Sequence, residues 1–189
     1  MKAIIGLVGE NGSGKDTFTT FFKAAAAPLN VKKLRFSDVL VDTLKMWDIE
    51  LTRSNLQNIA IIMDGQYGKG TLTHATEKRI KEDGSDIIVL EGVRWHTDIP
   101  MLKQFDNSFL VYVTAGSKIR FERLKQRGEK DGEADLTFER FQKEEKAGTE
   151  VDIPEIGAKA DFKIENNGAL DEFREKVEEF YNLQLKTKN

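Results

Sequence analysis

A nine-residue run, Gly9-Glu10-Asn11-Gly12-Ser13-Gly14-Lys15-Asp16-Thr17, follows directly on the apolar stretch Ala3 to Val8 and constrains this chain more than any other feature. Glycines at fixed spacing permit backbone angles closed to other residues, so successive N–H groups can turn inward on one anion. A helix that starts at the last glycine adds its unpaired N-terminal donors and the positive end of its dipole. Strand, then Gly-x-x-x-x-Gly-Lys, then helix is the arrangement of a P-loop, with Lys15 placed to reach the terminal phosphates of a nucleotide. Gly9, Asn11, Gly12, Ser13, Gly14, Lys15, Asp16 and Thr17 are therefore the expected nucleotide-binding residues, and ATP the expected ligand.

The rest of the pattern agrees with a fold that carries such a loop. Short apolar runs at 3–8, 33–36, 87–90, 109–113 and 161–165 read as buried strands. Helical segments fall at 15–27, 38–47, 55–82 with a break at 65–70, 98–104, 117–126, 136–147 and 169–185. Alternation of this kind predicts a three-layer α/β fold, a five-stranded parallel sheet with helices on both faces. With 189 residues the chain suits a single domain. It has no cysteine, which removes disulfides, thiolate metal sites and cysteine nucleophiles. A net charge of −3 gives no support for general nucleic-acid binding. No apolar run is long enough for a membrane span, and the N-terminus leads into the glycine loop rather than a cleavage site, so the expected compartment is the cytoplasm. Oligomeric state is not encoded in any of these features.

Other candidates lie at strand ends. The run 86–94 closes on Glu91, Gly92, Val93 and Arg94. In open α/β sheets ligands bind beyond the carboxyl ends of strands, so Glu91 should emerge beside the P-loop, to hold hydrated Mg²⁺ or to orient an acceptor. Arg94 can grip an anion by paired hydrogen bonds. Arg120, Arg123 and Arg127 share one helix face, and Arg140 follows the polar stretch 128–135. Arginines on a closing flap can neutralise a transferring phosphoryl group, with Arg123 and Arg127 the preferred pair.

In Gly14-Lys15-Asp16-Thr17 the chain resembles small P-loop kinases of nucleoside monophosphates, and most closely the phage-type deoxynucleoside monophosphate kinases. The segment 86–94 is similar to their Asp-Gly-x-Pro-Arg, with Glu91 for Asp and no proline. The arginine helix resembles their lid, over about 117–147, and 37–82 their acceptor-binding insert. Asp38, Arg53 and Gln57 then imply acceptor contacts, although 62–68 holds no arginine where those kinases place one. The run 160–166, Ala-Asp-x-x-Ile-x-Asn, is similar to the last strand of nucleotide and dephospho-coenzyme A kinases, which implies that Asn166 borders the adenine. Thr17 would touch phosphate, and Mg²⁺ would be held by Asp16 and Glu91 through water; the alternative reading of Asp16 is a helix-start acid that complements the dipole. The implied activity is phosphorylation of a nucleoside or deoxynucleoside monophosphate by ATP. Alternatives are a dephospho-coenzyme A kinase-like enzyme with Asp38 as base, or a non-catalytic ATP-binding switch.

Overall fold

The computed structural model describes residues 2–128, 136–146 and 150–186, apart from the side chain of Arg53. Its sheet runs β2-β3-β1-β4-β5, where β1 is Ala3–Val8, β2 Val31–Arg35, β3 Ile87–Glu91, β4 Ser108–Thr114 and β5 Phe162–Glu165. Every pairing is parallel. The central strand β1 is buried at all six positions, as expected of a strand covered on both faces and flanked on both edges.

Alternation along β1 assigns the two layers. Ala3, Ile5 and Leu7 face Phe18 and Phe22 of α1 (Lys15–Ala25) and Phe173, Val177 and Phe180 of α9 (Leu170–Gln184). The rings of Phe18 and Phe22 stack at 5.7 Å, and a buried phenylalanine contributes roughly 1.5–3 kcal/mol. Ile4 and Val8 face the other way, onto α4 (Thr71–Glu82), α5 (Asp98–Lys103) and α8 (Ile153–Ala158). The remaining helices are α2 (Phe36–Met46), α3 (Arg53–Tyr67), α6 (Ser117–Arg127) and α7 (Phe138–Glu145). Phe121, Leu124, Leu136, Phe138 and Phe141 form a separate small core between α6 and α7.

The five-stranded parallel sheet with helices on both faces matches the sequence expectation; several boundaries do not. The strand expected at 33–36 is Val31–Arg35, and Phe36 is already helical, because the Asp38 carboxylate accepts a hydrogen bond from Arg35 N at 2.8 Å and starts α2 there. The helical region expected at 55–82 is two helices with the expected break, at 68–70, and only its start differs. The first begins at Arg53, where Thr52 Oγ1 accepts from Asn55 N. The second begins at Thr71, whose N–H donates to Asp64 Oδ1. The helix expected at 136–147 spans Phe138–Glu145 and is capped by Thr137. Helix α8 was missed, since its six residues include Pro154 and Gly157, which read as turn formers.

Candidate functional site

β1 stops at Val8, and the P-loop crosses the sheet's carboxyl edge into α1. Gly9 passes so close to β4 that a Cβ there would meet Val113 O at 2.2 Å. Gly14, the N-cap of α1, has φ 101° and a Cβ there would strike Asn166 Nδ2 at 2.4 Å. The loop is thus a backbone structure pressed against β4 and the end of β5. Lys15 folds back over it, its ammonium donating to Gly9 O at 2.7 Å and Glu10 O at 2.9 Å. Burial lowers the Lys15 pKa to about 8, with the Arg94 charge adding to the effect against the opposing carboxylates of Glu150, Glu91 and Glu10. Asn11, Gly12 and Thr17 are half-buried along the loop and the first turn of α1, whereas Ser13 is fully buried.

Asn166 lies behind the loop. Its Nδ2 donates to Ser13 O at 2.9 Å, its Oδ1 accepts from Arg123 Nη2 at 3.2 Å, and its own N–H donates to Thr114 O. The side chain therefore fastens the P-loop to α6. Ser13 Oγ and Arg123 Nη1 are buried without a hydrogen-bond partner among the described residues. Buried donors are seldom left so, and hydroxyl and guanidinium are both groups that bind phosphate oxygen. Burial also lowers the Arg123 pKa.

Glu91 closes β3 beside Leu7 of β1 and Arg35 of β2. It is buried, accepts from Thr19 Oγ1 at 3.1 Å, and faces α1 because odd positions of β3 do. Asp16 and Glu91 are brought together by two cations that the sequence reading passed over. Lys33 Nζ contacts Asp16 Oδ1 and lies 2.9 Å from Glu91 Oε1; Arg35 reaches Glu91 at 3.4 Å and Asp16 at 3.5 Å. Burial acts to raise the Asp16 pKa, but Lys33, Arg35 and Lys15 outweigh it and leave it below the ordinary range. An alternation of basic residues in β2, one strand from Glu91, was the signal available.

Arg94 follows Glu91 by three residues. Its guanidinium is paired with Glu150, and its N–H and that of Trp95 both donate to the buried carboxylate of Asp98 at 3.1 Å. Burial raises the Asp98 pKa despite those bonds. Glu10 accepts from the Tyr112 hydroxyl, and burial together with Glu10 pushes that phenol up to about 12. None of Asp98, Tyr112 and Glu150 carried a sequence signal of its role.

The arginine helix divides. Arg120 is buried, donates to Ala115 O at 2.7 Å and pairs with Glu145 of α7, so it joins two helices. Arg123 faces the P-loop, and Arg127 is exposed at the end of α6. Arg140 pairs with Glu144 one turn away. Residues 129–135 and 147 of the expected lid lie outside the described residues. On the acceptor side Asp38 caps α2 and Gln57 is exposed on α3. Arg53 opens α3, and its side chain lies outside the described residues.

A UPF0200 protein of Sulfurisphaera tokodaii is 30% identical over 176 residues, covering 93% of this chain and 94% of that protein. This chain belongs to the UPF0200 family. A second UPF0200 protein, from Hyperthermus butylicus, is 26% identical over 172 residues. No family model matches the chain. Among solved structures, shikimate kinase from Acinetobacter baumannii superposes with TM-score 0.58 at 14% identity, over all of this chain and 96% of that one. A gluconokinase from Sinorhizobium meliloti gives 0.58 at 12%, over 99% and 95%. The UPF0200 chain therefore has the fold of small P-loop kinases. No helix among its described residues is long and apolar enough to cross a membrane.

Proposed function

We propose that this UPF0200 protein is an ATP-dependent phosphotransferase whose acceptor is a small phosphorylated molecule, a nucleoside or deoxynucleoside monophosphate. The observation that carries this reading is the P-loop with Lys15 seated on its own carbonyls and Arg123 fastened to it through Asn166. A lysine held on two carbonyls can exchange them for phosphate oxygens with little rearrangement. The loop amides and Ser13 would hold the donor phosphates, with Thr17 in the first turn of α1 beside them. Arg123, half-buried with its Nη1 shielded from solvent, would face charge developing on the transferred group, where such contacts are strongest. Asn166 would act on the loop and on Arg123, with adenine met by the backbone that follows it. Arg127, at the end of α6 in the expected lid, would join Arg123.

Asp16 and Glu91 are oxygen donors of the kind Mg²⁺ takes, and they share one spot. Two carboxylates would hold an ion that keeps most of its water. When bound, the ion would supply positive charge between donor phosphates. The acceptor would sit between Arg94 and the insert of residues 37–82, with Arg53, Gln57 and Asp38 at its border. A phosphate acceptor needs no general base, and Asp38 is already committed to Arg35 N. That commitment speaks against the dephospho-coenzyme A kinase-like alternative, in which Asp38 would take the proton of a hydroxyl.

The test is ADP release from Mg·ATP against a panel of ribo- and deoxynucleoside monophosphates and dephospho-coenzyme A. Turnover with one or a few monophosphates, falling at least about 10³-fold in Lys15→Ala, is the expected result. Response to dephospho-coenzyme A alone would overturn the acceptor assignment. Tight ATP binding with no acceptor effect would overturn the transferase reading in favour of a switch.

A further inference from the structure

β2 is an edge strand, and side chains on such a strand are ordinarily solvated lysines that discourage pairing with other chains. Lys32 behaves that way, half exposed and paired with Asp83 on the far layer. Lys33 does not. Alternation turns it with Arg35 toward α1, while Leu34 enters the core on the α4 side. Its side chain is only 23% exposed, and its ammonium stands between Asp16 and Glu91. Glu91 is buried and has both oxygens occupied, Oε1 by Thr19 and Lys33 and Oε2 by Arg35.

We propose that Lys33 is a built-in counter-ion that closes the Asp16–Glu91 pair to a free divalent cation, so that metal is admitted only together with nucleotide phosphates. The charges around that point decide the matter. Two carboxylates face the two cations that contact them, with the Lys15 ammonium also close enough to act on both, so no net negative charge waits for an ion. A bare divalent ion gains almost nothing from a neutralised pair and is repelled by the ammonium a few ångström away. A triphosphate on the P-loop adds negative charge beside Asp16, and the balance then favours a cation. Lys33 can follow that charge, because an ammonium on a four-carbon stem is a mobile point charge. Arg35 is the weaker barrier. It is 52% exposed and its contacts are 3.4 and 3.5 Å, so it can move into solvent.

This assignment borrows from the phosphotransferase reading only the idea that a metal travels with the donor. It is tested without acceptor and without turnover, so either conclusion can fail alone. Mn²⁺ is the probe, with free ion counted by electron paramagnetic resonance during titration of the nucleotide-free full chain. Lys33→Met should bind Mn²⁺ at least about tenfold more tightly than the parent, because removing one charge leaves buried Glu91 without its nearest partner. Adding Glu91→Gln should cancel that gain. Lys33→Arg should keep the parent's weak binding, and Arg35→Met should give a smaller gain than Lys33→Met. Should Lys33→Met not fold, as judged by near-ultraviolet circular dichroism, Lys33→Gln carries the same expectation with a polar replacement. Equal Mn²⁺ affinity in the parent and the uncharged variant would overturn the proposal. So would a gain that survives Glu91→Gln.

Discussion

The two sides of the sheet's carboxyl edge are built on different principles. On the P-loop side the chain is held by buried backbone and amide contacts: Gly9 against Val113 O, Gly14 against Asn166, Ser13 O to Asn166 Nδ2. On the side of α2 and α3 the helices and the segment between them carry large apolar residues that remain in solvent. Met46, Trp47, Ile49, Leu51, Ile61, Ile62 and Tyr67 are between 40% and 80% exposed. A site that must present fixed donors to a triphosphate is served by rigidity. The segment proposed to meet the acceptor has little burial to hold it, and local stability should fall accordingly.

The largest effect should come from breaking the rigid side. In Gly9→Ala the new Cβ would lie 2.2 Å from Val113 O, a backbone atom of a central strand that has no room to retreat. Either the loop or β4 must shift, and the expected cost is about 3 kcal/mol or more by denaturant titration. An alanine that costs under about 1 kcal/mol would mean that the loop floats free of β4, and the contrast drawn above would collapse.

The Lys15 ammonium tests the same region by pH. Its folded-state pKa of about 8 lies below the ordinary 10.5, so between those values the unfolded chain binds more protons than the folded one. Stability from this group is therefore flat below pH 8 and rises as pH climbs toward 10.5, by at most about 3 kcal/mol. The slope should be present in the parent chain and absent in Lys15→Met when unfolding free energies are compared from pH 7.5 to 9.5. Tyr112 is common to both proteins and cancels. Parallel curves would show that the two loop carbonyls hold Lys15 as firmly charged as water does.

These contrasts also explain what could be read in advance. A P-loop is a demand on backbone angles, and only glycine at fixed intervals meets it, so the demand is written locally in 9–17. Glu91 was legible because a strand pattern ending in an acid fixes its place beside β1. Pairings between distant segments leave no local trace. Arg94 with Glu150, Tyr112 with Glu10, and Lys33 with both Asp16 and Glu91 depend on which face of a strand or helix meets which neighbour. Arg120 shows the limit of spacing as a guide. It shares a helix face with Arg123, yet α7 covers it and Glu145 claims it. Helix spacing gives the face, and only tertiary packing says what covers each turn of it.

The smallest effects should lie on α3, and they sharpen the comparison because one helix supplies both arms. Ile59 is 7% exposed, whereas Ile61 and Ile62 are 69% and 65% exposed. Ile59→Ala removes buried methyl groups and should cost about 2–3 kcal/mol. Ile61→Ser and Ile62→Ser remove apolar surface that water already covers and should each change stability by less than about 0.5 kcal/mol. Denaturant titration of the three single variants distinguishes the cases. Equal costs at all three positions would mean that the outward face of α3 is packed in solution. The acceptor side would then be as firmly held as the P-loop, and its exposed isoleucines would need a covering partner.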